Sequence, residues 1–156
     1  MPAPIIYPDQ IKIWTDDIPR RFAELLRTSQ PINVYISSPW ISEFPNSAID
    51  LRKLLIQKNA STIILTRPPR TKTAKRFLEE LKRDTRTRIY VNNKLHAKLY
   101  IIEGYRHKYV VIGSSNFTQE SRFNLELAIV FVGSDILTKR VIYAFLAYLK
   151  PACKLW

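Results

Sequence analysis

Cysteine is almost absent from this sequence of 156 residues, which contains Cys153 alone. A single cysteine cannot form a disulfide within the chain or build a cysteine-based zinc site, and such scarcity is typical of a reducing compartment. No apolar run approaches the ~20 residues that a transmembrane helix needs. Residues 1–14 also lack the basic segment and apolar stretch of a signal peptide. We therefore expect a cytoplasmic protein without stable membrane association.

Acidic residues and glycines are also scarce. Lys and Arg number 25 against 13 Asp and Glu, which leaves a net charge of +12, and only 3 glycines occur. This charge favours a polyanionic partner, with nucleic acid first and an anionic membrane surface second; the alternative is a basic surface that binds nothing. Hydrophobic residues make up 46% of the chain, which suffices for a core. We expect one domain over residues 1–156.

Helical and strand patterns alternate along the chain. Thr73 is the expected N-cap of the third helix, and Pro151 is expected to end the fourth. The strands 97–104 and 108–113 must be antiparallel, because their connection is too short for a crossover. Strands interleaved with helices predict an α/β fold with a mixed β-sheet flanked by helices on both faces. The predicted helices cover 15–29, 47–59, 73–84 and 134–150, and the predicted strands cover 32–40, 61–67, 87–93, 97–104, 108–113 and 125–133.

The stretch KLHAKLYIIEG, residues 94–104, places one of only two histidines beside a lysine at the start of a predicted strand. Side chains alternate between the two faces of a strand. His96, Lys98 and Tyr100 should therefore share one face, while the apolar residues between them point into the core. We expect the imidazole and the ammonium group to lie side by side.

Three further polar residues are expected near this histidine. The antiparallel strand ends in GSSN, so Ser114 and Asn116 should lie beside the start of the first strand. Glu126 opens the next apolar run. An imidazole, an ammonium, an amide, a hydroxyl and a carboxylate together suit phosphoryl chemistry, in which donors hold phosphate oxygens and an oriented imidazole attacks.

Each part alone has an ordinary explanation. A single histidine on a strand is more often a surface or packed residue, and GSSN alone is a turn. His107, in the turn between the two strands, illustrates that case, and we assign it no role.

The order and spacing of these parts resemble the HKD motif of the phospholipase D superfamily. That motif runs His-any-Lys, then an Asp, then Gly-Ser-any-Asn, then a Glu. Glu103 stands where the motif has Asp, and more residues than usual separate it from Gly113, which we interpret as a longer hairpin turn. The resemblance implies a phospholipase D-like fold. The matching residues are His96, Lys98, Gly113, Ser114, Asn116 and Glu126.

The resemblance also implies a mechanism and a partner. Members of the superfamily use two such motifs per active site, and this chain carries one, which implies a homodimer with the motifs meeting across a two-fold axis. One His96 would form a phosphohistidine, while His96 of the second copy acts as acid and then as base. Lys98 and Asn116, with Ser114, would hold the phosphate oxygens, and Glu126 would orient the imidazole. No metal and no cofactor are implied.

The motif alone does not choose the substrate. Most of the excess positive charge lies in residues 67–108, which favours contact with a nucleic-acid backbone. Trp40 and Phe44 follow the first core strand and either stack on bases or pack in the core. We expect a metal-independent nuclease similar to the small dimeric endonucleases of the superfamily, acting on DNA or RNA, with DNA first. The expected nucleic-acid-binding residues are Arg67, Arg70, Lys72, Lys75, Arg76 and Trp40.

Two other functions fit parts of the pattern. A phospholipid phosphodiesterase of the cardiolipin-cleaving kind would have an exposed apolar entry patch or a membrane anchor, and the sequence indicates neither. The third alternative is a non-catalytic nucleic-acid-binding module with a vestigial site, and the intact set of matching residues argues against it.

Overall fold

The computed structural model describes residues 10–44, 49–133 and 135–156, with Asp135 described by its backbone only. Strands and helices alternate along these residues. The strands are β1 (Gln10–Trp14), β2 (Pro31–Ser37), β3 (Ser61–Thr66), β4 (Thr87–Val91), β5 (Leu99–Gly104), β6 (Lys108–Gly113), β7 (Ala128–Val132) and β8 (Lys154–Leu155). The helices are α1 (Ile18–Thr28), α2 (Leu51–Lys58), α3 (Lys72–Asp84) and α4 (Asp135–Ala144).

The described strands join one sheet in the order β1-β7-β6-β5-β2-β3-β4-β8. The pairs β2–β3 and β3–β4 are parallel, and the remaining neighbours are antiparallel. Strands β5 and β6 form the antiparallel hairpin that their short connection predicts. The mixed sheet expected from the alternating pattern is thereby confirmed.

Apolar side chains cover both faces of this sheet. The larger cluster joins buried residues of α1, α2 and α3 to one face, and Tyr100 of β5 belongs to it. The smaller cluster lies on the opposite face, where Phe145 and Val141 pack against Leu99 and Ile101. Because neighbouring residues of β5 point to opposite faces, this one strand contributes to both clusters.

Side-chain caps begin the first three helices. Asp17 caps α1, Asp50 caps α2 and Thr71 caps α3, each by accepting a hydrogen bond from a backbone amide three residues later. The predicted cap Thr73 is therefore wrong: Thr71 has the extended backbone of an N-cap, and Thr73 already lies in the first helical turn. Residues 47 and 48, at the start of the second predicted helix, lie outside the described residues.

The last helix ends differently from the prediction. Helix α4 ends at Ala144, and the chain continues as a π-helical turn over Phe145–Leu149 and a 3₁₀ turn over Lys150–Ala152. Pro151 lies within that 3₁₀ turn, near its start, where a backbone N–H has no intrahelical acceptor. Residue 134, where the predicted helix begins, lies outside the described residues. No helix among the described residues is long and apolar enough to cross a membrane.

Two edge strands were not predicted from the sequence. Strand β1 pairs with β7, and the two-residue strand β8 pairs with β4. Strand β1 alternates polar and apolar residues over its five positions, so the sequence held a strand signal there that was missed, whereas the two residues of β8 are too few to be recognised by period. Pairing with a neighbour that is distant in sequence makes them strands.

Candidate active site

His96 and Lys98 precede β5 rather than lie within it, because the regular strand begins at Leu99. The segment is nevertheless held against the sheet, since the Ser37 hydroxyl donates a 2.8 Å hydrogen bond to the Ala97 carbonyl oxygen. Leu99 is buried, whereas His96 is exposed and Lys98 is half-buried. Ala97 is half-buried as well, so burial increases from His96 towards β5 rather than alternating strictly.

The structure brings the His96 and Lys98 side chains together. Lys98 Nζ lies 3.4 Å from His96 Nε2 and donates a 3.1 Å hydrogen bond to the His96 carbonyl oxygen. An ammonium group carries donors only, so a hydrogen bond to Nε2 requires a neutral ring with its proton on Nδ1. In that contact the Nε2 lone pair faces the ammonium group, so the ring can act as a nucleophile or a general base only once Lys98 turns to another acceptor, such as a phosphate oxygen.

Gly113 ends β6 beside this pair, at a point where no larger residue fits. A Cβ there would lie 2.4 Å from the Leu127 carbonyl oxygen and 2.7 Å from the Ala128 Cβ. This close approach of β6 and β7 sets the position of the GSSN turn.

A cleft of about 490 Å³ contains both halves of the motif. It is lined by His96, Ala97, Lys98, Leu99, Ile112, Gly113, Ser114 and Val141.

Ser114 and Glu126 contact each other directly. The Ser114 hydroxyl donates a short hydrogen bond to Glu126 Oε2 and accepts one from the Leu127 amide at 3.1 Å. Its single proton is thereby committed to the carboxylate, so the expected contact of Ser114 with phosphate is not offered in this structure. Asn124 Nδ2 lies 3.5 Å from Glu126 Oε1. Among the hydrogen bonds of the described residues, none joins Glu126 to His96.

Asn116 is oriented by the loop that follows β2. Its Oδ1 lies 3.4 Å from the Trp40 backbone nitrogen, and an amide N–H can only donate. The side-chain oxygen therefore faces the loop, and Nδ2 is left as an outward donor. The buried Ser38 hydroxyl holds the loop in place, because it donates to the Trp40 carbonyl at 2.6 Å and accepts from the Phe117 amide at 3.0 Å. Sequence analysis missed Ser38, although its place directly after a core strand was a usable signal.

Tyr100 supports the GSSN turn from below. Its hydroxyl donates a 2.6 Å hydrogen bond to the Ser115 carbonyl oxygen, and the residue is only 2% exposed. Burial raises the pKa of the phenol, and the nearby Glu126 charge adds to that effect. The phenol therefore stays protonated and remains a hydrogen-bond donor to the turn.

A second pocket, of about 380 Å³, adjoins Asn116. The Arg70 guanidinium carbon lies 4.2 Å from the centroid of the Trp40 ring, and that of Arg67 lies 5.4 Å from it. Arg67 also donates a 2.7 Å hydrogen bond to the carbonyl oxygen of Leu95, the residue before His96. Three of the expected nucleic-acid-binding residues thus come together. The pocket is lined by Trp40, Ile41, Ser42, Arg70, Thr71, Ala74, Asn116, Thr118, Glu120, Ser121 and Asn124.

The other expected nucleic-acid-binding residues lie apart from this pocket. Lys72, Lys75 and Arg76 are exposed on α3, and Arg76 has Glu43 at 3.6 Å and Glu80 at 3.9 Å.

Phe44 is a core residue. It is 2% exposed and packs edge-on against Phe117, with ring centroids 5.2 Å apart. Of the two explanations considered for Phe44, stacking on bases is thereby excluded.

An exposed row of isoleucines crosses three strands beside the cleft. Ile112 pairs with Ile129, and Ile129 pairs with Ile13; residues directly opposite on neighbouring strands share a face. These residues are 44%, 38% and 57% exposed, respectively, and Ile112 also lines the cleft. The sequence indicated no exposed apolar patch, and that interpretation was wrong, because the row is assembled from segments far apart along the chain.

Glu103 and His107 lie at the opposite end of the β5–β6 hairpin. Glu103 Oε1 accepts a 2.8 Å hydrogen bond from Asn33 Nδ2, so it connects β5 to β2. The His107 ring lies 6.3 Å from that of Tyr109. Neither residue lines the cleft. In the described part of the chain, no group of three or more His, Cys, Asp or Glu side chains is placed to hold a metal ion.

Comparison with known proteins agrees with the fold. Residues 23–146 match the family model described as cardiolipin synthase, PLD-like domain. No match was found among curated proteins. Nuc, a phospholipase D family member from Salmonella typhimurium, has a TM-score of 0.72 at 12% identity, with 94% of this chain and 99% of that chain covered. NucT from Helicobacter pylori has a TM-score of 0.70 at 13% identity, with the same 94% and 99% covered.

A third similar structure is TrmBL2, an archaeal chromatin protein with a novel mode of DNA binding. Its TM-score is 0.61 at 15% identity, with 94% of this chain and 54% of that chain covered. At such identities the structural likenesses show the fold. The family match spans most of the chain, including every residue of the motif from His96 to Glu126. The chain therefore belongs to the phospholipase D superfamily.

Proposed function

We propose that the chain is a metal-independent phosphodiesterase that cleaves nucleic acid, DNA first, through a phosphohistidine on His96. The observation that carries the proposal is the cleft in which His96 and Lys98 meet the turn that begins at Gly113, with Lys98 Nζ 3.4 Å from His96 Nε2. Membership of the superfamily supports phosphodiester chemistry. The fold by itself leaves the substrate open.

The proposed reaction has two steps. In the first, His96 Nε2 attacks phosphorus, the bond from phosphorus to the leaving oxygen breaks, and a second imidazolium gives that oxygen a proton. In the second, the imidazole that gave up its proton takes one from water. The water oxygen then attacks phosphorus and breaks the phosphorus–nitrogen bond. Both imidazoles return to their starting states, so no metal ion and no cofactor takes part.

Lys98 and Asn116 are the proposed ligands of the non-bridging oxygens. The ammonium group neutralises charge that builds up in the transition state, and the outward Nδ2 of Asn116 adds a donor. Ser114 is proposed to hold one oxygen of Glu126, in keeping with the hydrogen bond between them. The other carboxylate oxygen would accept a hydrogen bond from Nδ1–H of His96 in the substrate complex, in place of its long contact with Asn124.

A second copy of the chain is proposed to supply the second imidazole. The other histidine, His107, lies at the far end of the hairpin, so one chain offers one imidazole to the cleft. The exposed row of Ile13, Ile129 and Ile112 begins at the cleft. Burial of this row in a two-fold contact would remove apolar surface from water and bring the two clefts together.

The positive charge supports nucleic acid as the substrate. The chain carries a net charge of +12, and Arg67 and Arg70 flank Trp40 beside Asn116. Lys72 and Lys75 do not line that pocket, but they add exposed positive charge on α3. Arg76 adds less, because Glu43 and Glu80 lie beside its guanidinium group. Such a surface contacts phosphates without reading sequence.

The isoleucine row also favours a second candidate, a phospholipid phosphodiesterase. An apolar surface that reaches the cleft could admit acyl chains, and the matched family model is described as a cardiolipin synthase domain. The two candidates assign the row to different partners, a second copy of the chain or a lipid. They are therefore distinguishable by substrate and by oligomeric state.

The test is cleavage of plasmid, single-stranded DNA, RNA and cardiolipin vesicles in excess EDTA. The wild type is compared with His96→Ala and with the matched control His107→Ala. We expect DNA cleavage that survives EDTA, persists in His107→Ala and is lost in His96→Ala. Release of a lipid product alone would favour the phospholipase. Binding of DNA without cleavage by any variant would contradict catalysis and favour a binding module.

The dimer is tested with Ile129→Glu against the control Ile56→Glu, which alters a residue of α2 that is 46% exposed. Light scattering should find a dimer for the wild type and the control, and an inactive monomer for Ile129→Glu. A dimeric, DNA-cleaving Ile129→Glu would exclude the row as the dimer contact.

A further inference from the structure

Two arginines pack over the ring of Trp40 at the surface. Its ring is half-buried, with the guanidinium carbon of Arg70 4.2 Å and that of Arg67 5.4 Å from its centroid. Within the described residues, neither arginine forms an ion pair with a carboxylate. The planar groups therefore pack against the ring, while their charge is left for an anionic ligand.

The pocket beside this ring combines a flat wall with a hydrogen-bond donor. Trp40, Arg70 and Asn116 all line it, and its volume is about 380 Å³, within the range of small-molecule sites. Because the Trp40 backbone nitrogen engages Asn116 Oδ1, both N–H groups of Nδ2 remain as donors, one for the proposed phosphate ligand and one for a group in the pocket. An aromatic and guanidinium wall with a few donors suits a planar heterocycle such as a nucleobase.

This pocket and the proposed phosphodiester site have no lining residue in common, but two connections through the chain place them near each other. The motif turn runs from Gly113 and Ser114, which line the cleft, to Asn116, which lines the pocket. Arg67 makes a second connection, since it contacts the Trp40 ring and also donates to Leu95, the residue before His96. A nucleotide whose phosphate occupies the cleft would thus have its own base, or the adjacent one, within reach of the pocket.

We infer that the pocket takes one unpaired nucleobase next to the phosphate to be cleaved, so that the enzyme selects single-stranded nucleic acid. The inference rests on the proposed function and extends it to the class of substrate. A base in a duplex is paired on its edge and stacked on both faces, so it can enter the pocket only after it leaves the helix, which has a free-energy cost. A base in a single strand avoids most of that cost and gains stacking against the wall.

The experiment compares one labelled DNA strand with the same strand in a duplex, in excess EDTA. The variants are Trp40→Ala, Trp40→Phe, which keeps an aromatic ring, and Trp156→Ala. Trp156 is a matched control because it also has a cation, Lys82, 4.9 Å from its ring, yet it lines neither the cleft nor the pocket. Circular dichroism checks that each variant is folded.

The wild type should cleave the single strand at least about tenfold more efficiently than the duplex, which corresponds to the stacking of one base. Trp40→Ala should lose about that factor on the single strand and little on the duplex, so that the preference disappears. Trp40→Phe should retain most of it, and Trp156→Ala should behave as wild type. Equal cleavage of the two substrates by the wild type would overturn the inference. So would an equal loss on both in Trp40→Ala.

A binding measurement separates failure of this inference from failure of the proposed function. Fluorescence anisotropy of the same two substrates with His96→Ala needs no turnover. If no variant cleaves DNA, tighter binding of the single strand that disappears in Trp40→Ala/His96→Ala still supports the pocket. Equal binding of strand and duplex by His96→Ala would overturn it, whatever the cleavage result.

Discussion

The two histidines of this chain lie at opposite ends of one β-hairpin, in very different surroundings. His96 precedes β5, and its ring meets Lys98 Nζ in a cleft that also contains Gly113 and Ser114. His107 precedes β6, beside the Tyr109 ring, in a pocket of about 270 Å³ formed by the hairpin turn and the end of α1. The hairpin is common to both, so the difference lies in what the neighbouring strands bring to each end.

The largest expected effect separates the two histidines directly. His96→Ala should reduce DNA cleavage about 1,000-fold or more, because it removes both the nucleophile and the acid of the proposed reaction. His107→Ala should change the rate less than about twofold, since that ring contacts no group of the cleft. Steady-state rates on a labelled oligonucleotide measure both. Comparable losses of cleavage rate in the two variants would mean that the two ends of the hairpin do not differ in function.

The next largest effect is expected from replacing the lysine beside each histidine. Lys98→Met should lower kcat about 100- to 1,000-fold, because a charge that stabilises the transition state is lost while the side-chain volume is kept. Lys108→Met, at the other end of the hairpin, should leave kcat within about twofold. Similar KM values for Lys98→Met and wild type would assign the lysine to the chemical step. A loss confined to KM would instead make it a residue of substrate binding.

Each end of the hairpin also contains a tightly packed glycine. A Cβ at Gly113 would lie 2.4 Å from the Leu127 carbonyl oxygen, whereas one at Gly104 would lie 2.8 Å from the Gln30 carbonyl oxygen. Gly113→Ala should therefore cost about 3 kcal/mol of unfolding free energy and Gly104→Ala about 1 to 2 kcal/mol. Only the first should also reduce cleavage, because it displaces the GSSN turn. Urea unfolding and rates below the transition check both; an active Gly113→Ala would show that the turn tolerates displacement.

The smallest effect concerns an ion pair behind the His96 end. Arg122, in the loop that follows the GSSN turn, has its Nε 3.1 Å from Asp17 Oδ1 at the start of α1. Burial alone would raise the pKa of Asp17, but hydrogen bonds and charge from Arg122, with hydrogen bonds from Arg20, outweigh it and lower the pKa. The stabilisation is therefore present above the ordinary carboxyl pKa of about 3.9 and is lost as pH falls below it.

Arg122→Met removes the part of this dependence that comes from Arg122 and leaves the hydrogen bonds from Arg20 to Asp17. Between pH 5 and pH 3, its unfolding free energy should fall by about 1 kcal/mol less than that of the wild type. The control Arg27→Met breaks an exposed pair with Glu24, and it should be indistinguishable from wild type because exposed pairs contribute little. Parallel curves for Arg122→Met and wild type would mean that this pair does not hold the loop.

Much of the fold could be predicted because it depends on local patterns. Strand β6 matches its predicted bounds, and the first three helices match theirs to within a few residues at the ends that are described, whereas α4 ends at Ala144 rather than at residue 150. The errors occur where contacts between residues far apart in the sequence determine the local structure. Strand β1 exists through its pairing with β7, and the chain after Ala144 widens into a π-helical turn that buries Phe145 against Tyr35.

The candidate site likewise has features that could be predicted from the sequence and features that could not. Adjacency of His96 and Lys98 follows from the two-residue period of an extended chain, which holds even though β5 begins only at Leu99. The partners of Ser114 could not be predicted, because one hydroxyl proton can serve a phosphate or Glu126, and only the packing of β6 against β7 selects the carboxylate.

The sequence by itself determined the order and spacing of the motif, the positive charge and the alternation that places His96 and Lys98 on one face. Only the tertiary structure decided that Trp40, Arg70 and Asn116 share a pocket and that Ile13, Ile129 and Ile112 form one exposed row. The physical reason is the distance along the chain over which each property is decided. Side-chain direction along a strand is set by neighbouring residues, whereas strand order and register depend on burying the whole sheet at once.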